Sequence, residues 1–559
     1  MTGEYATIAS YWATNHEIHV VAPTIELHEL CRSIPGAREQ GRRKMWAIPA
    51  TPATVARLSR VYGERLRVDR PLGEYVRRVA TGYEESRTAL CGPLPPPIPS
   101  TRLQPRGRWL HQRRAFWFAY PLEASMLAVT MGGGKTKIAL DLVQNWRAHE
   151  VLIIAPKTAI EDAWADQLKE HMIKGFDAAL CVNGSVRQRM ELADSVMGGG
   201  YEYKFVIINH EAFWREPFAT WALSRMWDLV IADESHREKS AGSKSSKFLG
   251  RLGTHARRRL ALTGTPMPHS PLDVYGQYRF LDRGLFGMNY SKFEQQYAEY
   301  GGWQNREVIG FKNLDGLRRK FRTIAISIDD SKQGLPLTSD ITRSVVLESS
   351  VRRVYDELNR EFIADVGRGE ITAANAGVKL LRLHQIACGH ATIERDGKKE
   401  TVNLGRAKLD GLEDVLYDFP VDEPIVIFVR FRADIAAVYD LCGRLRRSVS
   451  ELSGSRNDLS KWKARNTDVL VAQIQAAKEG IDLTRSSVAI FYSTGISLGD
   501  YLQCRKRLHR PPQKRMVRFI HLLARGTRDV STMRALKNRQ DVIRATLRDE
   551  RSQVYPSAL

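Results

Sequence analysis

The chain has 559 residues, with 85 Lys and Arg against 63 Asp and Glu, a formal net charge of +22. Hydrophobic residues at 43% and aromatics at 9% can build the cores of two to four domains of ordinary size (about 100–200 residues each), which excludes a wholly disordered chain. No run approaches the ~18 consecutive apolar residues of a membrane helix, so the charge excess calls for a polyanionic partner, either nucleic acid or an acidic membrane surface. The six cysteines (31, 91, 181, 388, 442 and 504) form no C-x-x-C pair, which argues against a disulfide framework or a zinc knuckle. MTGEYATIASYW at the start lacks the layout of a secretory signal. With no long basic localisation run either, a reduced cytoplasmic protein of a bacterial or phage-infected cell is expected.

In chain order, IHVVA (18–22) is strand-like, TIELHELCRSI (24–34) helical, RRKMWAIP (42–49) a returning strand after the Pro35-Gly36 turn, and ATVARLSRVYG (53–63) a second helix. These make residues 1–90 a small basic α+β domain. Arg42, Arg43, Lys44 and Trp46 lie close together in it, and basic side chains beside a ring suit a bent or partly single-stranded nucleic acid. Trp46, flanked by Met45 and Ile48, fits a core position as well. CGPLPPPIPSTRLQP, residues 91–105, is rich enough in proline for an extended, semi-rigid linker.

Apolar runs then alternate with amphipathic stretches: MLAVT (126–130), VLIIAP (151–156), KFVIINH (204–210), DLVIADE (228–234) and RLALTGT (259–265). That alternation predicts the buried strands of a parallel sheet over residues 106–285. Residues 286–420 are expected to be a mostly helical insert, with KLLRLHQIA (379–387) a good amphipathic helix. A second series, IVIFVR (425–430), VLVAQIQA (469–476), SVAIFYS (487–493) and MVRFIHLL (516–523), predicts a second parallel sheet over 421–545, with a tail at 546–559. The fold class is therefore α/β, with two sheets in tandem.

MGGGKT (131–136) follows a strand and opens a helix, the setting of a phosphate-binding loop. Gly132, Gly133 and Gly134 let backbone N–H groups approach phosphates, Lys135 reaches the β- and γ-phosphates, and the Thr136 hydroxyl is a Mg²⁺ ligand. The full pattern wants glycine at 129, where this chain has Val129. The strand DLVIAD ends on two carboxylates: Asp233 to hold Mg²⁺ and Glu234 to orient or deprotonate the attacking water. Together they predict hydrolysis of a nucleoside triphosphate.

With DESH in place, the residues resemble superfamily-two helicases, and within them the Swi/Snf-type double-stranded DNA translocases, in order over about residues 105–530. LHQRRAFWF (110–118) resembles the adenine-recognition segment, with Gln112 as its reading residue. VLIIAPKTAIEDAW (151–164) is similar to motif Ia, with the Trp164 typical of the Swi/Snf branch. VIINHEAF (206–213) lies at motif Ib, DESHREKS (233–240) at motif II and LTGTPMPHSPLDVYGQYRFL (262–281) at motif III. LLRLHQIACGH (380–390), IVIFVRF (425–431) and AAKEGIDLTRSS (476–487) resemble the pre-motor helix and motifs IV and V. Gln503, Arg507, Arg510 and Gln513 match the spacing of motif VI, although Pro512 stands where glycine is usual.

The resemblance implies two RecA-like domains and ATP with Mg²⁺. It also implies Arg507 and Arg510 as arginine fingers, Gln503 at the nucleotide, and Gly480 and Asp482 coupling nucleotide to DNA. Lys157, Arg257, Arg258 and Arg259 are candidate phosphate contacts. SIPGAREQGRRKMWAIP (33–49) is similar to the HepA-related domain of annealing helicases, which implies forked or branched DNA as substrate in replication, recombination or repair. Protein partners are not specified, a single-strand-binding protein being the natural candidate, and no membrane is implied. The competing readings are an RNA helicase of the same superfamily, disfavoured by Trp164, and a DNA-binding scaffold with a relic motor, disfavoured by the intact motifs. A restriction motor is disfavoured by the lack of a nuclease pattern.

Overall fold

The computed structural model describes the chain apart from residues 1–6, 13–16, 23–24, 35–36, 41–44, 52–53, 56–57, 59, 61–65, 102–109, 130–131, 174, 288, 302–306, 329–334, 362, 366–369, 373–375, 396–397, 478–480, 494, 496, 511 and 548–559. It divides into two compact units, residues 1–329 with 543–559, and residues 330–542.

The first unit is built on a seven-stranded parallel sheet. From one edge to the other its strands are Ala325–Ile328, Ala124–Val129, Ala256–Thr263, Trp227–Asp233, Glu150–Ala155, Tyr203–Asn209 and Phe176–Cys181. Helices cover its faces, so the central strands are apolar along their length; Met126, Ile153, Ile231 and Leu260 are fully buried. All five predicted runs are strands here. The two edge strands were not predicted, since FDAALC is half exposed and AISI is only four residues long.

Ahead of it, Arg38–Gln40, Met45–Pro49, Glu17–Val21, Thr7–Trp12 and Leu66–Val68 form a five-stranded sheet beside the helix Ile25–Ser33. The predicted helix at 53–63 lies partly outside the described residues. A 22-residue helix, Arg70–Cys91, then ties this sheet to the motor sheet. Asp69 caps it by accepting from the Leu72 N–H at 2.8 Å. Tyr75 donates its hydroxyl to the Ala50 carbonyl (2.9 Å) on one side, and Arg78 pairs with Glu123 (2.9 Å) on the other.

The proline-rich stretch is not a free spacer. Arg114 donates to the carbonyls of Ala89, Leu90 and Gly92, Trp117 Nε1 donates to that of Pro96 at 2.7 Å, and Asn145 donates to that of Ser100 at 3.0 Å. Proline cannot donate, but its carbonyl still accepts, so a chain unable to form helix or sheet is strapped down by neighbouring donors instead.

The second unit holds a six-stranded parallel sheet in the order Thr338–Val345, Val517–Ala524, Val488–Phe491, Ile425–Val429, Val469–Gln473 and Val449–Leu452. The expectation of a mostly helical segment over 286–420 is corrected. Helices Ser349–Glu361, Ala376–Ala387 and Ala407–Tyr417 are present, but Ala325–Ile328 and Thr338–Val345 join the two main sheets. A hairpin pairs Ala298–Gly301 with Glu307–Phe311, and Ile363–Asp365, Glu370–Thr372, His390–Arg395 and Lys398–Asn403 form a further antiparallel sheet. TSDITRSV escaped notice because it is an edge strand whose residues are exposed or half-buried, so it has no apolar run to read.

Beneath this sheet Lys408 pairs with Asp529 at 2.6 Å, both side chains almost fully buried. Burial alone would lower the Lys408 amine, but Asp529 holds it above its ordinary value. Burial pushes the neighbouring His384 imidazole down to about 4. Because the folded value lies below the unfolded one (~6.5), the unfolded chain takes up the proton first, and stability is lost as pH falls from about 6.5 toward 4. By pH 4 this amounts to roughly 3 kcal/mol. Urea unfolding of the wild type against His384→Gln should show that excess acid sensitivity in the wild type alone.

Candidate nucleotide site

The site occupies the carboxyl edge of the first sheet. Strand Ala124–Val129 runs into the glycine turn, and helix Lys135–Trp146 starts immediately after it. Gly132 (φ 81°) and Gly134 (φ 82°) are left-handed, which is the backbone freedom the turn requires. Gln112, on helix Leu110–Ala119, lies across the turn and donates to the Gly133 carbonyl at 3.2 Å. A Cβ at Gly134 would sit 1.8 Å from Gln112 Nε2, so the absent side chain is what admits the glutamine. His111, beside it, also contacts the Gly133 carbonyl through Nε2 at 3.1 Å.

Lys135, the first residue of its helix, places Nζ 3.7 Å from Glu234 Oε1, both side chains largely buried. Thr136 follows one residue on. Asp233 closes strand Trp227–Asp233, one strand removed from the loop strand, and parallel register brings the two motifs to the same edge. Its Oδ2 accepts from Trp164 Nε1 at 2.9 Å and its Oδ1 from the Glu234 N–H at 2.9 Å. Burial, then the adjoining Glu234 carboxylate, pushes the Asp233 carboxyl up, against the pull of Lys135 and the tryptophan bond.

Trp164 reaches Asp233 from a π-helical turn, Ile160–Trp164, set between the short helix Lys157–Ala159 and the helix Ala165–His171. Wider turns of this kind shift side-chain register and are frequent at functional sites. Glu234 is itself left-handed (φ 47°, ψ 48°), a rare conformation for a residue with a side chain and costly by about 1–3 kcal/mol. His236 faces both the Glu234 carboxylate (3.3 Å) and the Thr263 hydroxyl (3.0 Å), which links motif II to motif III. Ser235 donates to Gln277 at 2.8 Å, and Gly276 allows the motif II tail to pack closely, since a Cβ there would lie 2.1 Å from the Glu238 carbonyl.

The donor set fits Mg²⁺. A carboxylate at a strand tip and a threonine hydroxyl are hard oxygen ligands, too few for an all-protein cage but suited to an ion shared with phosphates. Among the described residues no group of three or more His, Cys, Asp or Glu side chains could hold a metal.

The remaining predicted residues fall as follows. Lys157 is exposed just past the carboxyl end of strand Glu150–Ala155. Arg257 is exposed but pairs with Asp228 (3.8 Å), and Arg258 and Arg259 are engaged by backbone carbonyls. Arg258 donates to the Leu122 carbonyl at 2.9 Å and stacks on Trp146; Arg259 is 6% exposed and donates to the carbonyls of Gly253 and Ala256. Their partners in register, Leu229 and Ala124, mark the amino-terminal edge of the sheet, away from the loop. Trp46 is 4% exposed with its Nε1 donating to His28 Nδ1, so its ring belongs to the core and not to a stacking surface. Arg42, Arg43, Lys44 and Gly480 lie outside the described residues.

In the second unit, Gln503 and Arg507 are buried on helix Leu498–Leu508, and Arg510 follows it half-buried. Arg507 approaches the Ile481 carbonyl (3.5 Å), and Gln513 donates to the carbonyls of Thr484 and Ser486 at 3.1 and 2.8 Å, so motif VI is stitched to motif V. Asp482 accepts from both the backbone and the hydroxyl of Thr484, at 2.8 and 2.7 Å, and so closes its own loop.

The model of the SNF2-related domain matches residues 106–392, just over half the chain. The chain belongs to the SNF2-related family. It is a Swi/Snf-type member of helicase superfamily two, and ATP hydrolysis is the chemistry of that family. Protein p41 of Acyrthosiphon pisum secondary endosymbiont phage 1 is 24% identical over 72% of this chain and 90% of its own length. SWI/SNF-related matrix-associated actin-dependent regulator of chromatin subfamily A-like protein 1 of Drosophila melanogaster is 22% identical over 75% of this chain. The DNA annealing helicase and endonuclease ZRANB3 of Mus musculus is 24% identical over 74%. The chain spans only 53% and 38% of those two animal proteins. Among the described residues no helix of this SNF2-related chain is long and apolar enough to cross a membrane.

Replacing Gly134 by alanine should displace Gln112 and strain the turn by about 1–2 kcal/mol. Affinity for a fluorescent ATP analogue is expected to fall at least about tenfold in equilibrium titration.

Proposed function

We propose that this chain is an ATP-driven translocase on duplex DNA that acts on forked or branched junctions. The observation that carries the ATPase half is the meeting of Lys135 and Glu234 at one sheet edge, 3.7 Å apart. Before substrate enters, the ammonium neutralises the carboxylate. When ATP enters, its phosphates compete for Lys135, and Glu234 is released to orient a water for attack on the γ-phosphate. Asp233 and Thr136 would hold Mg²⁺, which would supply positive charge against the phosphates. Gln112 stands at the adenine, and Arg507 and Arg510 offset the charge that develops on the transferred group.

The DNA half is supported by the net charge of +22 and by the likeness to an annealing helicase. Lys157, exposed beyond a strand tip, is a phosphate contact in this reading, and Arg42, Arg43 and Lys44 are its junction contacts. Trp46 has no part in it.

Lys135→Ala should abolish ATP turnover, Glu234→Gln should leave only a residual rate measurable in single-turnover assays, and wild-type turnover should rise with duplex or forked DNA and fall steeply with added salt. Turnover indifferent to DNA, or stimulated equally by matched RNA forks, counts against the translocase reading. Fork preference is tested by replacing Arg42, Arg43 and Lys44 with alanine. Deletion of residues 1–90 is unsuitable, because it removes the helix Arg70–Cys91 that braces the motor sheet.

A further inference from the structure

We infer that His210 is a positioning residue for Glu234: it holds the Asp233–Glu234 peptide in the orientation that keeps Glu234 left-handed and aimed at Lys135. The inference rests on the reading of Glu234 as the residue that orients water.

A left-handed residue with a side chain persists only where its surroundings over-determine it. At Glu234 the constraint is visible on both sides of the preceding peptide. The N–H of Glu234 donates to Asp233 Oδ1 at 2.9 Å, and the Asp233 carbonyl accepts from His210 Nε2 at 2.8 Å. A carbonyl only accepts, so Nε2 carries a proton. With both ends of the amide bonded, the plane of the peptide entering left-handed Glu234 is set, one of the two planes that define its φ.

His210 is held from behind. Its Nδ1 lies 2.9 Å from Glu238 Oε1, and the two side chains are 4% and 2% exposed. With Nδ1 held against Glu238, the ring is oriented to keep Nε2–H toward the Asp233 carbonyl. Sealed pairs of this kind add little net stability over apolar residues of the same size, whereas fixing a single geometry is a role for which they are suited. The chain path allows it: His210 directly follows strand Tyr203–Asn209, and Glu238 ends the short 3₁₀ helix Ser235–Glu238 that begins right after Glu234. From a neighbouring segment His210 therefore grips both ends of the loop, the Asp233 carbonyl and the Glu238 carboxylate, connecting motif Ib to motif II.

The test uses two amides that differ in reach. The amide nitrogen of glutamine falls near the place of imidazole Nε2, and that of asparagine near Nδ1. His210→Gln should keep kcat within about threefold. His210→Asn should lower kcat by roughly 10–100-fold, the usual cost of removing a supporting hydrogen bond, with KM for ATP nearly unchanged. Both are read on the full chain below their melting transitions, with binding of a fluorescent ATP analogue measured beside turnover. In a Glu234→Gln background His210→Asn should add no further loss, because its effect passes through Glu234. Equal kcat for the two amides, or a loss that multiplies with that of Glu234→Gln, overturns the inference. Glu234→Gln with undiminished turnover instead overturns the underlying assignment of Glu234, a separate outcome read from the single variant.

Discussion

Parallel register in the first sheet is the constraint from which the site follows. Because the strands run the same way, the ends of Ala124–Val129, Ala256–Thr263, Trp227–Asp233 and Glu150–Ala155 open at one edge, and residues far apart in sequence arrive there together. The glycine turn, Thr263, Asp233 with Glu234, and the start of the Lys157 helix all stand at that edge. The arginines of the opposite edge are consumed by carbonyls, which shows how sharply one end of a strand differs from the other. Three consecutive arginines look equivalent as letters; their place at the start of strand Ala256–Thr263 decides that two of them serve as braces.

Much of this was legible in the sequence, for physical reasons. Strands buried on both faces need continuous apolar runs, so nine such runs pointed to nine strands of the two sheets. The loop glycines, Lys135 and the paired carboxylates were legible because phosphate chemistry restricts what can stand at those positions. What escaped lacked a periodic or compositional mark. Edge strand Thr338–Val345 buries too little to need an apolar run, and Ala325–Ile328, though buried, is only four residues long. The π turn before Trp164 is a change in hydrogen bonding with no signature in residue type. Trp164 was visible as a family feature, but its bond to Asp233 depends on that turn.

The histidines mark another limit. His111, His210 and His236 each touch the nucleotide edge, at the Gly133 carbonyl, the Asp233 carbonyl and the Glu234 carboxylate. In sequence each is a single histidine inside a longer motif segment, and a lone histidine is more often a satisfied core residue than a working one. The partner that would have distinguished His210, Glu238, is 28 positions away. Trp46 is the reverse case: a ring among basic residues suggested a surface, and the sheet buried it.

The strapped proline segment has a mechanical consequence. A flexible tether would let the amino-terminal sheet tumble and lose orientation at every cycle. Here the helix Arg70–Cys91 and the carbonyls of residues 89–100 are bonded to the same helices that carry Gln112 and Lys135. The amino-terminal sheet and the first motor sheet are thus braced through shared helices, so that the orientation of one is tied to that of the other.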